Sequence, residues 1–127
     1  MRPFQDLLVW QKAHELTLDV YRLTRAYPTE ERFGLTSQTR RSASSVPGNI
    51  SDGCGKRTLP QLRASLDFAG GSLSELEYWF ILGRDLGFMS PDLYGARNDQ
   101  LNEVRRLLLG FADWAATQIT LQESSGE

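Results

Sequence analysis

Apolar residues recur along residues 6–27 in steps of four, three, four, three and four: Val9, Ala13, Leu16, Val20, Leu23 and Tyr27. That spacing keeps them on one face of an α-helix. Lys12, Glu15, Asp19 and Arg22 lie off the stripe. The period returns in residues 58–86 through Leu62, Leu66, Ala69, Leu73, Leu76, Phe80 and Gly83. It returns again in residues 91–120 through Leu101, Val104, Leu108, Phe111 and Ala115. No stretch alternates with period two, so no strand is expected.

Local signals set the predicted boundaries. Asp6 is placed to cap the first helix, and Pro28 to end it, because the residue before proline avoids the α region. Thr29 followed by Glu30 and Glu31 reads as a second start: a cap, then two acids at the positive end of the helix dipole. Thr58 with Gln61 forms a capping-box pattern, and Pro60 sits where its missing N–H costs nothing. Gly87 is free to turn left-handed after the third helix. Ser90 and Pro91 open the fourth, and residues 121–127 read as a frayed tail. The links are short, so neighbouring helices run antiparallel. The prediction is all-α: a single domain over 1–127, an antiparallel up-down-up-down four-helix bundle. Its helices are expected at about 6–27, 30–55, 58–86 and 91–120.

The stretch RRSASSVPGNISDGCG, residues 40–55, interrupts this regularity. It is not a P-loop: Ile50 stands where the first glycine is needed, and Arg57 follows Lys56 in place of Ser or Thr. Read as a loop, it would be unusually long for a compact bundle. Read as a helix, it must absorb about 3 kcal/mol for Pro47 and about 1 for Gly48. A compensating contact is then required. If the second and third helices turn near residues 56–57, facing positions sum to about 113, and Ser42 and Ala43 lie level with Gly71 and Gly70. Small residues on both sides favour a close crossing. The expectation is a proline-kinked helix. Asn49, at stripe phase with Val46, would satisfy the carbonyl that Pro47 frees. Arg41 and Glu75 would form an ion pair beside the crossing.

Composition adds limits. With 127 residues the chain suits one domain with its own core. Its one cysteine, Cys54, allows no internal disulfide, which fits a reducing compartment. The opening MRPFQD is charged and leads into no apolar signal segment, and no 18-residue apolar run exists. A cytoplasmic protein with no membrane partner is expected. Net charge is −2, unevenly spread. Residues 22–57 carry seven Lys/Arg against three Asp/Glu, and residues 58–127 carry five Arg against ten Asp/Glu. Such asymmetry means either self-pairing between segments or an anionic partner. Self-pairing is the simpler expectation.

Three blocks of sequence now bear on kinship: FQDLLVWQKA (4–13), YPTEERFGLTSQTRRSASSVPGNISDG (27–53) and AGGSLSELE (69–77). Together they resemble the bacterial four-helix-bundle proteins encoded in intervening sequences of large-subunit ribosomal RNA genes. Gly48, Ser51 and Asp52 depart from that family's pattern and lower helix propensity, so the second helix is expected to fray at its end. The resemblance implies a ring-shaped homopentamer and no established reaction. A more distant relative, the accessory protein of diversity-generating retroelements, binds a reverse transcriptase and nucleic acid through a strongly basic surface. A sequence pI of about 5.4 lacks that charge.

No catalytic constellation emerges. His14 is the only histidine, and a nucleophilic Cys54 would need it as base two turns into another helix. Asp67, Glu75, Glu77 and Asp85 are spread along one helix. No cofactor and no metal site is expected. Trp10, Trp79 and Trp114 read as core or subunit-contact residues more readily than as base-stacking ones. Phe68, Ile81, Leu107, Leu109 and Trp114 lie off the stripes, where one bundle cannot bury them all. Two functions remain. One is a non-enzymatic oligomeric scaffold or interaction module, its first partner a second copy of itself and any other protein partner unidentified. The other is an RNA- or DNA-associated accessory protein. It would bind weakly through Arg22, Arg25 and Arg32 at one end of the bundle and Lys56 and Arg57 at the other, repeated around a ring as a basic rim.

Overall fold

The computed structural model describes residues 2–126. Four helices carry the chain: α1 (Leu8–Thr24), α2 (Leu35–Cys54), α3 (Leu59–Asp85) and α4 (Pro91–Ser125). Two short 3₁₀ turns, Phe4–Asp6 and Thr29–Glu31, precede α1 and α2. Each helix packs on its neighbour in sequence, and α4 closes back onto α1. The molecule is an antiparallel up-down-up-down four-helix bundle, with no strand among the described residues.

The stripes meet in the centre. Ala13, Leu16 and Val20 of α1 are buried with Val46 and Ile50 of α2, Leu66, Leu73 and Phe80 of α3, and Leu101 and Val104 of α4. Several ends follow the sequence signals. Thr58 Oγ1 accepts from the Gln61 N–H at 3.3 Å, and Ser90 Oγ accepts from the Leu93 N–H at 3.1 Å. Gly87 turns left-handed at φ 81°. Behind it the Phe88 N–H donates to Gly83 O at 2.8 Å and the Gly87 N–H to Arg84 O at 3.0 Å. That pair of bonds satisfies the last carbonyls of α3.

Four boundaries differ from expectation. α1 ends at Thr24, short of Tyr27: the Ala26 and Tyr27 N–H groups donate to Leu23 O and Thr24 O, a tighter turn than the α-helix. Asp6 does not cap α1: its own N–H donates to Pro3 O in the 3₁₀ turn, and Leu7 occupies the cap position without a side-chain acceptor. Thr29 does not start α2 either. Residues 29–31 make one turn, and Gly34 then leaves helical geometry at φ −109°, ψ −112°. The Glu31 carboxylate accepts from the Leu35 N–H at 3.0 Å, so an acid expected to act through the dipole serves as the cap. At the far end α4 continues to Ser125. Nothing between residues 116 and 125 is a glycine or proline, and the Ser125 hydroxyl bonds back to Leu121 O at 2.9 Å. The end of α2 does not fray, for it runs unbroken to Cys54 with the Asp52 carboxylate accepting from Ser65 Oγ at 3.1 Å.

Candidate functional site

Residues 40–55 lie almost wholly within α2, which passes through Pro47. Proline has no N–H, so the Ala43 carbonyl loses its helical donor. The replacement comes from another helix. Thr17 Oγ1 of α1 lies 2.9 Å from Ala13 O and 3.1 Å from Ala43 O, and shares its one proton between them. Thr17, Ala43 and Pro47 are all buried. The expected compensator, Asn49, does something else: its Nδ2 donates to Ser45 O at 2.8 Å and Ser45 Oγ at 3.0 Å. An amide six residues along its own helix cannot reach back to Ala43, whereas a packed neighbour can.

The small residues of α2 face α3 in a different register. Ser65 bonds Asp52, and Ser72 Oγ bonds Ser45 Oγ at 2.8 Å. Both pairs sum to 117 rather than 113. A count from the loop midpoint ignores helical phase, which selects the side chains that point across. The expected crossing at Ser42, Ala43, Gly70 and Gly71 is therefore corrected. A Cβ on Gly71 would meet nothing within 4 Å, and one on Gly70 only Leu108 Cδ2 at 4.0 Å. The tight approach lies nearer the turn, where a Cβ on Gly53 would come 2.9 Å from Ser65 Cβ and 3.0 Å from Leu62 Cδ1.

Ser42 is buried and accepts from Trp79 Nε1 at 3.0 Å. The same N–H reaches Glu75 Oε1 at 3.3 Å. Glu75 thus serves a tryptophan, while Arg41 is exposed to solvent, and the two form no ion pair. Exposure leaves little reason for the long Arg41 side chain to be fixed.

The polar tie that sequence reading misses is Asp19. Its carboxylate holds Arg22 and Arg97, each at 2.8 Å, and accepts from Gln100 Nε2 at 3.1 Å, joining α1 to α4. Partial burial pushes its pKa up, but hydrogen bonds from Gln100 and Arg22 and the charges of Arg97 and Arg22 outweigh this and hold it below the ordinary 3.8. Arg105 with Glu77 at 3.3 Å and Lys12 with Glu103 at 3.8 Å complete the ties to α4. Asp19 lies off the apolar stripe, so only a distance between helices reveals it.

The charge asymmetry is not resolved by self-pairing. Among the described residues no ion pair joins the basic segment 22–57 to the acidic segment 58–127. Of the five expected nucleic-acid contacts, Arg22 is held by Asp19 and Lys56 lies 3.7 Å from Asp52. Arg25 and Arg32 line a pocket between the end of α1 and the start of α2, and they are joined there by Arg40. Lys56 and Arg57 line a second pocket at the α2–α3 turn. The two ends are about 35 Å apart along helices rising 1.5 Å per residue.

No hydrogen bond joins the candidate reactive groups Cys54 and His14. Burial pushes the Cys54 thiol above its ordinary range, away from thiolate chemistry. His14 stacks on Trp10 with centroids 5.0 Å apart. Among the described residues no three His, Cys, Asp or Glu side chains cluster as metal ligands. No helix there is long and apolar enough to cross a membrane.

These features meet known proteins at one point. The sequence profile of the 23S rRNA-intervening sequence proteins matches residues 5–110. The chain belongs to that family. This 23S rRNA-intervening sequence protein is also similar to a solved structure, that of a protein of unknown function from the S23 ribosomal protein family of Bacteroides thetaiotaomicron VPI-5482. The two superpose with a TM-score of 0.78 at 22% identity, over 84% of this chain and 96% of the other. At that identity the likeness speaks for the fold. No curated protein matches the sequence.

Proposed function

We propose that this family member is a non-enzymatic homo-oligomeric scaffold or interaction module, a cytoplasmic ring with five subunits as the favoured number. The number rests on the resemblance of the sequence to its family. The observation that carries self-association is a pair of apolar features on opposite edges of the bundle. Phe68 of α3 is 71% exposed and stands over a shallow groove lined by Ala64, Gly71 and Ser72. On the α1–α4 edge, Leu7, Phe111 and Trp114 line a pocket of about 350 Å³, with Arg2 at its margin.

Both features sit at one height. The Arg105–Glu77 pair fixes the α3–α4 register and brings Phe68 level with Trp114. Subunits arranged around an axis parallel to their helices keep their heights, so a head-to-tail contact needs its two halves level. Asp67 beside the Phe68 side and Arg2 beside the pocket add opposite charges. Light scattering at micromolar concentration tests this. A mass several times 14.3 kDa is expected for the wild type, falling toward the monomer in Phe68→Asp with helical circular dichroism retained. A wild-type mass of 14.3 kDa would refute it.

The non-enzymatic part draws support from the lack of a Cys54–His14 hydrogen bond, His14 being stacked on Trp10, and from the protonated state that burial favours for the thiol. The nucleic-acid reading draws less support. Two of its five cations are already engaged, and the rest stand at opposite ends of the subunit. Its test is a titration with structured RNA and duplex DNA at about 50 mM and higher salt. Binding that weakens steeply with salt and falls in Arg25→Glu would revive it.

A further inference from the structure

We infer that the pocket between the end of α1 and the start of α2 is a binding site for the phosphate of a small soluble phosphomonoester. Arg25, Arg32 and Arg40 line it together with Thr24, Thr29 and Thr36, around about 250 Å³. No carboxylate lines it. None of the three arginines forms an ion pair with a described residue. Three cations around so small a space repel one another, and a multiply charged anion relieves that repulsion.

Arg40 is pre-set for this role. Its Nε donates to Thr24 Oγ1 at 2.8 Å, one Nη2 proton goes to Tyr21 O at 3.3 Å, and its plane lies 4.6 Å over the Tyr21 ring. A guanidinium has five N–H groups, so three remain to donate. Arg32 is braced over Phe33 at 5.0 Å. The Arg25 side chain has no hydrogen-bonded partner among the described residues. Thr36 supplies an independent sign. It is only 7% exposed, its hydroxyl makes no hydrogen bond with a described residue, and the residue lines the pocket. Thr36 also belongs to the first turn of α2, at the positive end of the helix dipole.

The acids nearby are occupied or outside. Glu31 accepts from the Leu35 N–H, Asp19 is held by Arg22 and Arg97, and Glu30 is exposed and off the pocket wall. A carboxylate ligand needs one guanidinium fork, whereas three forks with a hydroxyl suit the several oxygens of a phosphate. The three arginines line one small pocket and are not strung along the length of the bundle. That favours a terminal phosphate over a nucleic-acid backbone. The site also differs from the basic rim considered above, because Arg22 is excluded from it and Arg40 included.

Calorimetric titration of the full chain tests the site at constant ionic strength, with inorganic phosphate, glycerol 3-phosphate, acetate and a short RNA lacking terminal phosphates. Saturable binding of both phosphates with a Kd of about 1 mM or tighter is expected, with acetate at least about tenfold weaker. Arg25→Gln/Arg32→Gln should weaken phosphate binding at least about tenfold, and Thr36→Val about threefold, while Arg106→Gln, an exposed arginine elsewhere, leaves it unchanged. Arg25 and Arg32 are exposed, so the double variant should melt as the wild type does without phosphate. Equal phosphate affinity in the double variant, equal affinity for acetate, or RNA binding through the same arginines at lower concentrations than phosphate would each overturn the assignment.

Discussion

At the residue scale, the proline in α2 is tolerated because a hydroxyl on α1 takes the place of the missing N–H. Thr17→Val keeps the shape and removes the donor. It should leave the buried Ala43 carbonyl unsatisfied and destabilise the protein by about 1–3 kcal/mol. In a Pro47→Ala background the helix regains its own donor, so the same change should cost visibly less. Denaturant unfolding of the four proteins gives this coupling, and additive effects would show that Thr17 does not stand in for the lost bond. Tyr27 presents the opposite case. It is 6% exposed, its hydroxyl has no partner among the described residues, and burial pushes its pKa up to about 12. A Cβ on Gly83 would lie 2.6 Å from that hydroxyl. Gly83→Ala should therefore lower the melting temperature, and Tyr27→Phe should leave it level or raise it and lessen the cost of Gly83→Ala. The sequence shows that Pro47 needs a partner, but a donor on another helix has no signature in the segment it serves. Asn49 suits that role only by its nearness along the chain.

At the scale of elements, the small residues of α2 and α3 divide into those that permit contact and those that do not. Gly53 lies against Ser65 and Leu62, so Gly53→Ala should push α2 from α3 and destabilise by about 1–3 kcal/mol. Gly71 faces open space, so Gly71→Ala should stabilise by up to about 1 kcal/mol through helix propensity alone. Thermal melts of the two single variants should shift in opposite directions. A loss of stability in Gly71→Ala would mean that Gly71 is packed, and its persistence in Phe68→Asp would place that packing against α2 and not against a neighbouring subunit. Helix existence is legible because four-residue and three-residue steps leave few alternatives. The caps at Thr58 and Ser90 are legible because the groups they serve are local. The break at Gly34 is not, since Thr-Glu-Glu carries every local sign of a start and only the backbone turn at Gly34 delays the helix to Leu35. The α2–α3 register differs by four in its sum because length fixes the loop, while helical phase fixes which residues face.

At the scale of the whole molecule, four stripes and short links are enough to specify the bundle, since each apolar face can be covered only by the others. Charge is harder to place. Its arithmetic suggests that the basic segment pairs with the acidic one, yet the long-range ties run between α1 and α4 and between α3 and α4. Asp19 is the centre of the first set and supplies a pH test. Its carboxyl titrates below 3.8 in the folded chain, lower than in the unfolded one. A depressed folded pKa means that its contribution is complete above the unfolded value and fades as pH falls through the folded one. The side chain is still 27% exposed, which limits that contribution to about 1 kcal/mol. Asp19→Asn should lower the melting temperature at neutral pH, because Arg22 and Arg97 lose their shared anion. The gap from wild type should stay constant down to about pH 5 and narrow below about pH 4 as the wild-type carboxylate is neutralised. Melts at fixed protein concentration and ionic strength across that range decide the matter. A gap that does not narrow at all as pH falls below about 4 would mean that the substituted amide loses packing or hydrogen-bond geometry and that charge at this α1–α4 tie contributes nothing.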